Sequence, residues 1–284
     1  MAPFFLGLGI TFLIGFSFIA IILHFSHKKE DRIAVDMPLA PAFLWFNTAA
    51  SLSIELNLNF SDGNQIFKYM AGLENPYETS INQALRNTLK SAWGIVDAQT
   101  AEENMEDLLK NGMRSRYNED MKLLLFKYGN LSEQQLIDLV PDSNEDSFLP
   151  KMIMAYRRIG KNAILGWDIG RLCYYAQICY FVGYISKEKM LELCTEGGKM
   201  AQSTFLNWEE MMESYILGTQ YWKNENAQDP KSSTFKLLEY YKKILVGSSK
   251  YRLSPYLSVP FDTDLSSDVL TDDRGYSVNN PKEN

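Results

Sequence analysis

The sequence predicts an all-α protein, with an N-terminal single transmembrane helix followed by a multi-helix globular bundle. Three observations carry this. Phe4–Leu23 is an uncharged, apolar run of bilayer-spanning length. After residue 41 the apolar residues recur with helical rather than alternating spacing. Capping signals recur where those segments begin. No alternating apolar run lies between hairpin turns, so no sheet is predicted, and no internal repeat is present.

Residues 1–25 read as the anchor. Within Phe4–Leu23 the only polar residues are Thr11 and Ser17. At ~1.5 Å per residue the run covers about 30 Å, the depth of a hydrocarbon core. A cleaved signal peptide fits less well, because no basic side chain precedes the run and His24-Phe25-Ser26-His27-Lys28-Lys29 is a poor cleavage context. Lys28, Lys29 and Arg32 flank its C-terminal side, so the positive-inside rule places the N-terminus outside and the body in the cytoplasm. That corresponds to a single-pass protein of the inner (cytoplasmic) membrane. Three cysteines cannot form a disulfide framework, which agrees with a reducing compartment. Gly7, Thr11 and Gly15 form a small-xxx-small stripe through which two anchors can pack as a homodimer, although Gly and Thr are also common in membrane helices.

Residues 26–41 read as a linker, charged at first and closing on Pro38 and Pro41. Residues 42–250 read as an all-helical cytoplasmic domain. Helices are expected near 43–58, 80–93, 100–112, 115–128, 132–140, 149–162, 167–183, 186–204, 207–223 and 232–246. Ser80 with Gln83, Thr100 with Glu103, Ser132 with Gln135 and Asn207 with Glu210 have the spacing of a capping box or its Asn variant. Residues 251–284 read as an acidic, mostly disordered tail. From Asp262 onward it is rich in Asp and poor in large apolar residues. Leu265, Val269 and Leu270 are its one candidate for a short partner-binding segment.

The segment 166–184 is the most informative. After Arg171 it is apolar nearly all the way round, which marks a central, buried helix. Its tyrosines and Gln177 argue against a second span. Asp168 and Arg171 stand three apart, within reach on one face, with Asp168 in the first turn, where the helix dipole favours a carboxylate. Buried charges require partners. The pair is therefore either structural, extended by Arg157 or Arg158, or the floor of a pocket for an anionic or polar ligand; the structural reading is preferred. Gly183 is expected to end this helix in a left-handed conformation and Ser186 to cap the next, forming an αα-hairpin. The second helix mixes Glu188, Glu192 and Glu196 with Lys187, Lys189 and Lys199 and so offers no basic face for DNA. The helix from Asn207 places Trp208, Met211, Met212, Tyr215, Thr219 and Trp222 on a core face, with Glu209, Glu210 and Glu213 opposite.

Composition limits the chemistry. The net charge is −7, from 28 basic and 35 acidic residues, which disfavours nucleic acid. The only histidines, His24 and His27, sit at the membrane boundary, so the body has no imidazole for a Ser-His or Cys-His dyad or for zinc. Cys173, Cys179 and Cys194 lack paired spacing, and no phosphate-binding glycine loop occurs. No catalytic residue, metal or cofactor is assigned.

Several separated motifs resemble the bacterial domain of unknown function 1266 family over roughly residues 80–225. These are Gly-Trp-Asp-Ile-Gly-Arg at 166–171, Gly-Tyr-Ile-Ser at 183–186, and Trp208-Glu209-Glu210 with Tyr215 and Gly218 through Trp222. Upstream, Ala92-Trp93-Gly94-Ile95, Leu108 through Arg114, and Tyr117 also match. The resemblance implies an all-helical fold and no transferable catalytic residue. Where that family often has Gly-His-Arg, this chain has Gly112-Met113-Arg114, which argues against acid–base chemistry there. The expected function is a membrane-tethered binding or interaction module with a protein partner, of an immunity-type or stress-related kind. The rival is a hydrolase-like enzyme with a charged pocket around Asp168, Arg171 and Arg114. The candidate polar cluster, ligand-binding or structural, comprises Trp167, Asp168, Arg171, Arg114, Trp208, Glu209 and Tyr215.

Overall fold

The computed structural model describes residues 37–58, 62–139, 148–247, 250–266 and 271–277. The apolar run Phe4–Leu23 and its Gly7/Thr11/Gly15 stripe lie outside the described residues, as do Val269 and Leu270. Among the described residues no helix is long and apolar enough to cross a membrane.

The described chain is helical, and two isolated bridges, Leu39 with Tyr276 and Thr271 with Ser277, are its only β-type pairing among the described residues. In order come α1 (Pro41–Leu58), α2 (Gln65–Lys68), a 3-10 turn (Met70–Gly72), α3 (Thr79–Trp93), α4 (Ala98–Lys110), α5 (Gly112–Tyr128) and α6 (Glu133–Asp138). After these come α7 (Leu149–Ile159), a 3-10 turn (Gly160–Asn162), α8 (Leu165–Phe181), α9 (Lys187–Thr204), α10 (Trp208–Lys223), α11 (Ser233–Val246) and α12 (Pro255–Ser258).

Start signals fix several of these boundaries. Ser132 and Gln135 form the expected capping box, Asn207 accepts from the Glu210 amide, and Ser186 accepts from the Lys189 amide. Two expectations are corrected. The box at α4 is Asp97 with Thr100, because the Asp97 carboxylate accepts the Thr100 amide and the Thr100 hydroxyl reaches back to the Asp97 amide. The helix therefore begins two residues before the expected position. α3 starts after Glu78 with no side-chain cap, and the Ser80 hydroxyl donates to Glu78 instead. Gly183 takes φ +76° after α8, as its position requires.

α8 is the central element. It packs on α1, α10, α9 and α4, and of its residues only Arg171 and Tyr180 are not fully buried. Having apolar residues all round suits a helix surrounded on every side. Contact with α10 is close: a Cβ at Gly218 would collide with the Trp167 side chain. The buried amides of Asn47 on α1 and Gln177 on α8 are paired, as burial demands. Asn47 and Gln177 both accept the Ala71 amide at 2.9 Å, and Asn47 donates to the Ile66 and Tyr69 carbonyls. A second, smaller apolar cluster joins α5, α6 and α7 through Tyr117, Met121, Leu136, Met152 and Ile153.

The C-terminal segment departs from the expected disordered tail. Tyr251, Tyr256, Val259 and Leu265 are buried in the main core. The Trp45 indole donates to the Phe261 carbonyl at 2.8 Å, and the Trp208 indole to the Val259 carbonyl at 2.7 Å. Gln202 donates to the Phe261 and Thr263 carbonyls. The segment thus gives buried indoles the acceptors they need, a role that composition does not reveal. At the other end of the chain, the linker expected to run through residue 41 is already packed at Leu39 and Ala40, where the Ala40 amide donates to the Gly275 carbonyl at 2.9 Å.

Candidate functional site

The site forms where α4 meets α5. Only Asn111 separates them, so the unpaired carbonyls ending one helix and the unpaired amides starting the next fall in one place. Asn111 does not cap α5; its amide group turns back to Asp107 at 2.7 Å. The cap comes from α8. Asp168 accepts from the Met113 amide at 2.9 Å and from the Arg114 amide at 3.2 Å. On the carbonyl side, Arg114 Nη1 donates to the Leu108 carbonyl at 3.2 Å and Nη2 to the Leu109 carbonyl.

The charges then close on each other. Arg114 Nη1 lies 3.0 Å from Asp168 Oδ2, and Arg171 Nη2 lies 2.7 Å from Asp168 Oδ1. Asp168 is 0% exposed and Arg114 6%. Gly112 makes the approach possible: it sits at φ +57°, and a methyl group there would run into the Asp168 carboxylate. Arg171 is held between two indoles, its guanidinium carbon 4.4 Å from the Trp167 ring centre and 5.3 Å from that of Trp93, a cation–π arrangement. Burial pulls the Arg171 pKa down and the Asp168 charge opposes it; a guanidinium stays charged throughout the usual pH range. Tyr215 packs edge-on against Trp167 at 5.0 Å and shares a hydrogen bond with Ser53 at 2.8 Å. Burial raises the Tyr215 pKa well above its ordinary value, so its hydroxyl remains protonated.

The structure brings Trp167, Asp168, Arg171, Arg114 and Tyr215 together and leaves two predicted members elsewhere. Trp208 stacks on Trp45 at 5.0 Å beside the C-terminal segment. Glu209 stands in the first turn of α10, where its charge acts on Glu213 and Tyr241. Neither Arg157 nor Arg158 extends the pair. Arg157 donates to the Gly129 and Leu131 carbonyls, and Arg158 faces Glu210 and Glu213 at 4.0 and 3.6 Å. The sequence reading missed the amides of Met113 and Arg114 and the Trp93 face. Gly112 within Asn-Gly was the available signal, since this dipeptide favours positive φ.

A catalytic carboxylate must reach the proton it moves. Asp168 is sealed, with four donors on its two oxygens. The thiols are equally withdrawn: burial pushes Cys179 up to about 12 and raises Cys194, whose thiol also shares a hydrogen bond with that of Cys173. Thiols so raised are poor nucleophiles. Among the described residues no cluster of His, Cys, Asp and Glu is placed to hold a metal.

A family model described as "Protein of unknown function (DUF1266)" matches residues 88–261. The match runs past the motifs at 80–225 and takes in Val259 and Phe261, the acceptors of the two core indoles. Comparison with curated proteins and with solved structures found no match.

Proposed function

The chain belongs to the DUF1266 family of proteins of unknown function, and from that premise we propose that it is a membrane-tethered, all-α binding or interaction module rather than an enzyme. The observation that carries this reading is the sealed state of Asp168. The most distinctive charged cluster of the chain is consumed by joining α4, α5 and α8, which leaves the hydrolase alternative without a reachable acid or base at Asp168. The tether is Phe4–Leu23 within residues 1–25, followed by a linker from residue 26. Lys28, Lys29 and Arg32 orient the N-terminus outside and the body toward the cytoplasm. The module's partner is a protein, and a role in immunity to a toxin or in stress suits such an architecture. Two anchors can pair through Gly7, Thr11 and Gly15.

Alkaline carbonate extraction of native membranes, combined with protease added to intact spheroplasts, tests the tether. The protein is expected to stay in the membrane pellet with its body protected. Release into the supernatant, or digestion of the body from outside, contradicts the reading.

A further inference from the structure

We propose that a surface cleft between residues 69–78, the end of α8 and residues 274–276 receives a basic side chain, arginine above lysine, presented by the module's protein partner. The cleft encloses about 550 Å³, which is ample for one side chain and the backbone that carries it. Its walls are aromatic: Tyr69, Tyr77, Phe181 and Tyr276 line it, with Glu74 and Glu78 among them. Tyr77 is 57% exposed and meets Phe181 edge-on at 5.8 Å. An aromatic face attracts a cation, and a planar guanidinium also stacks on it.

Charge supplies the second half of the argument. Glu74 accepts from the Tyr69 hydroxyl at 3.0 Å and Glu78 from the Ser80 hydroxyl at 2.6 Å. Each of these is one neutral donor, and an ionised carboxylate has acceptor sites for several. Among the described residues neither glutamate forms an ion pair. Arg274 borders the same cleft and pairs with neither, so the cleft holds two carboxylates and one guanidinium, with one negative charge in excess. Rings and carboxylates together match an incoming guanidinium or ammonium, and a chain of net charge −7 favours a basic partner.

The walls are held in place from the core. The turn that carries Tyr69 and Met70 into the cleft keeps Ala71 at φ +49°, a conformation that a non-glycine residue holds only where its surroundings impose it. The buried Asn47 and Gln177 impose it by accepting the Ala71 amide, and Asn47 also donates to the Tyr69 carbonyl. In the C-terminal wall the Ala40 amide holds the Gly275 carbonyl, and the Tyr180 hydroxyl joins Tyr77 to the Asp273 carbonyl. The cleft is thus formed before a ligand arrives, which spares binding the cost of ordering it. This inference deepens the binding-module reading and rests on it; carbonate extraction reads the tether and peptide titration reads the cleft, so each can fail alone.

The test is isothermal titration of the full chain in detergent micelles with acetyl-Gly-Arg-Gly-amide, the same peptide with Lys or Gln in place of Arg, and methylguanidinium. Saturable binding is expected for the Arg peptide, weaker for the Lys peptide and absent for the Gln peptide. The double variant Glu74→Gln/Glu78→Gln is expected to weaken the Arg peptide about tenfold, and Tyr77→Leu to weaken it while narrowing the preference for Arg over Lys. Arg274→Gln removes the cleft's own competing cation and is expected to tighten binding. All four positions are exposed, so the circular dichroism spectrum should not change. No saturable heat with the Arg peptide overturns the inference, as does equal binding of the Gln peptide or unchanged affinity in the glutamate double variant. Methylguanidinium binding as tightly as the Arg peptide overturns the assignment to a partner's side chain.

Discussion

Asp168 and Arg114, 54 positions apart in the chain, meet at 3.0 Å and together satisfy both sides of one helix junction. The carboxylate takes the first free amides of α5, and the guanidinium takes the last free carbonyls of α4. The ion pair is thus also a double cap, and its loss exposes backbone groups as well as a charge.

Gly112→Ala tests how tightly that junction is built. Both Gly112 (φ +57°) and Gly94 (φ +68°) are left-handed, but only at Gly112 does an added methyl meet the Asp168 carboxylate. Each substitution costs about 1–2 kcal/mol for the backbone alone. Gly112→Ala is expected to lose clearly more than Gly94→Ala in thermal unfolding. Equal losses would mean that the carboxylate is not where the structure places it.

Truncation after Lys250 tests the C-terminal segment. It removes Tyr256, Val259 and Leu265 from the core and leaves the Trp45 and Trp208 indoles without acceptors. Orphaning each buried donor costs ~1–3 kcal/mol, and each large apolar side chain lost costs a further ~1.5–3 kcal/mol. The truncated chain is expected to unfold well below the intact one or to fail to fold. An unchanged unfolding temperature would restore the reading of this segment as a solvated tail.

Some of this was legible in the chain and some was not, for physical reasons. The buried character of α8 and the Asp168–Arg171 contact are local, set by helical periodicity and a spacing of three. Arg114 is not local, and nothing in its own helix announces that it turns back to the Leu108 and Leu109 carbonyls. Glu209 looks like a partner because it is acidic and precedes a core face, yet it stands in the first turn of α10, where its charge acts on Glu213 and Tyr241. The C-terminal segment reads as disordered because large apolar residues are sparse from Asp262 onward. Its few apolar side chains, Tyr256, Val259 and Leu265 among them, are buried, and the rest of its contribution comes from main-chain carbonyls, which every residue carries and no composition reveals.

Acid sensitivity is expected to have a surface component at Glu106. Lys110 and Lys189, at 2.8 and 2.9 Å, hold its carboxyl down at about 2 against an ordinary value of 4.5. A lowered folded pKa stabilises above the unfolded value, and that contribution is lost as pH falls through the folded one. Between pH 4.5 and about 2 the wild type should therefore lose more stability than Glu106→Gln, and added salt should shrink the difference. Parallel stability curves would remove Glu106 from the account.

Thiol chemistry gives an independent reading of the core. Cys173, Cys179 and Cys194 are buried on α8 and α9. Ellman's reagent is expected to leave all three unmodified in the native full chain and to titrate all three in denaturant. Rapid modification without denaturant would show that α8 is not enclosed as described.

The most direct test of the claim that Asp168 joins helices rather than performs chemistry is a double-mutant cycle. It combines Asp168→Ala with Arg114→Ala in the full chain, followed by denaturant titration. Asp168→Ala alone is predicted to cost about 3–5 kcal/mol, since it strands the buried Arg114 guanidinium and the partly buried Arg171 guanidinium, and the double variant to lose far less than the sum of the single losses. A loss below ~1 kcal/mol for Asp168→Ala, small beside what a broken buried pair costs, with strictly additive effects, would contradict the account.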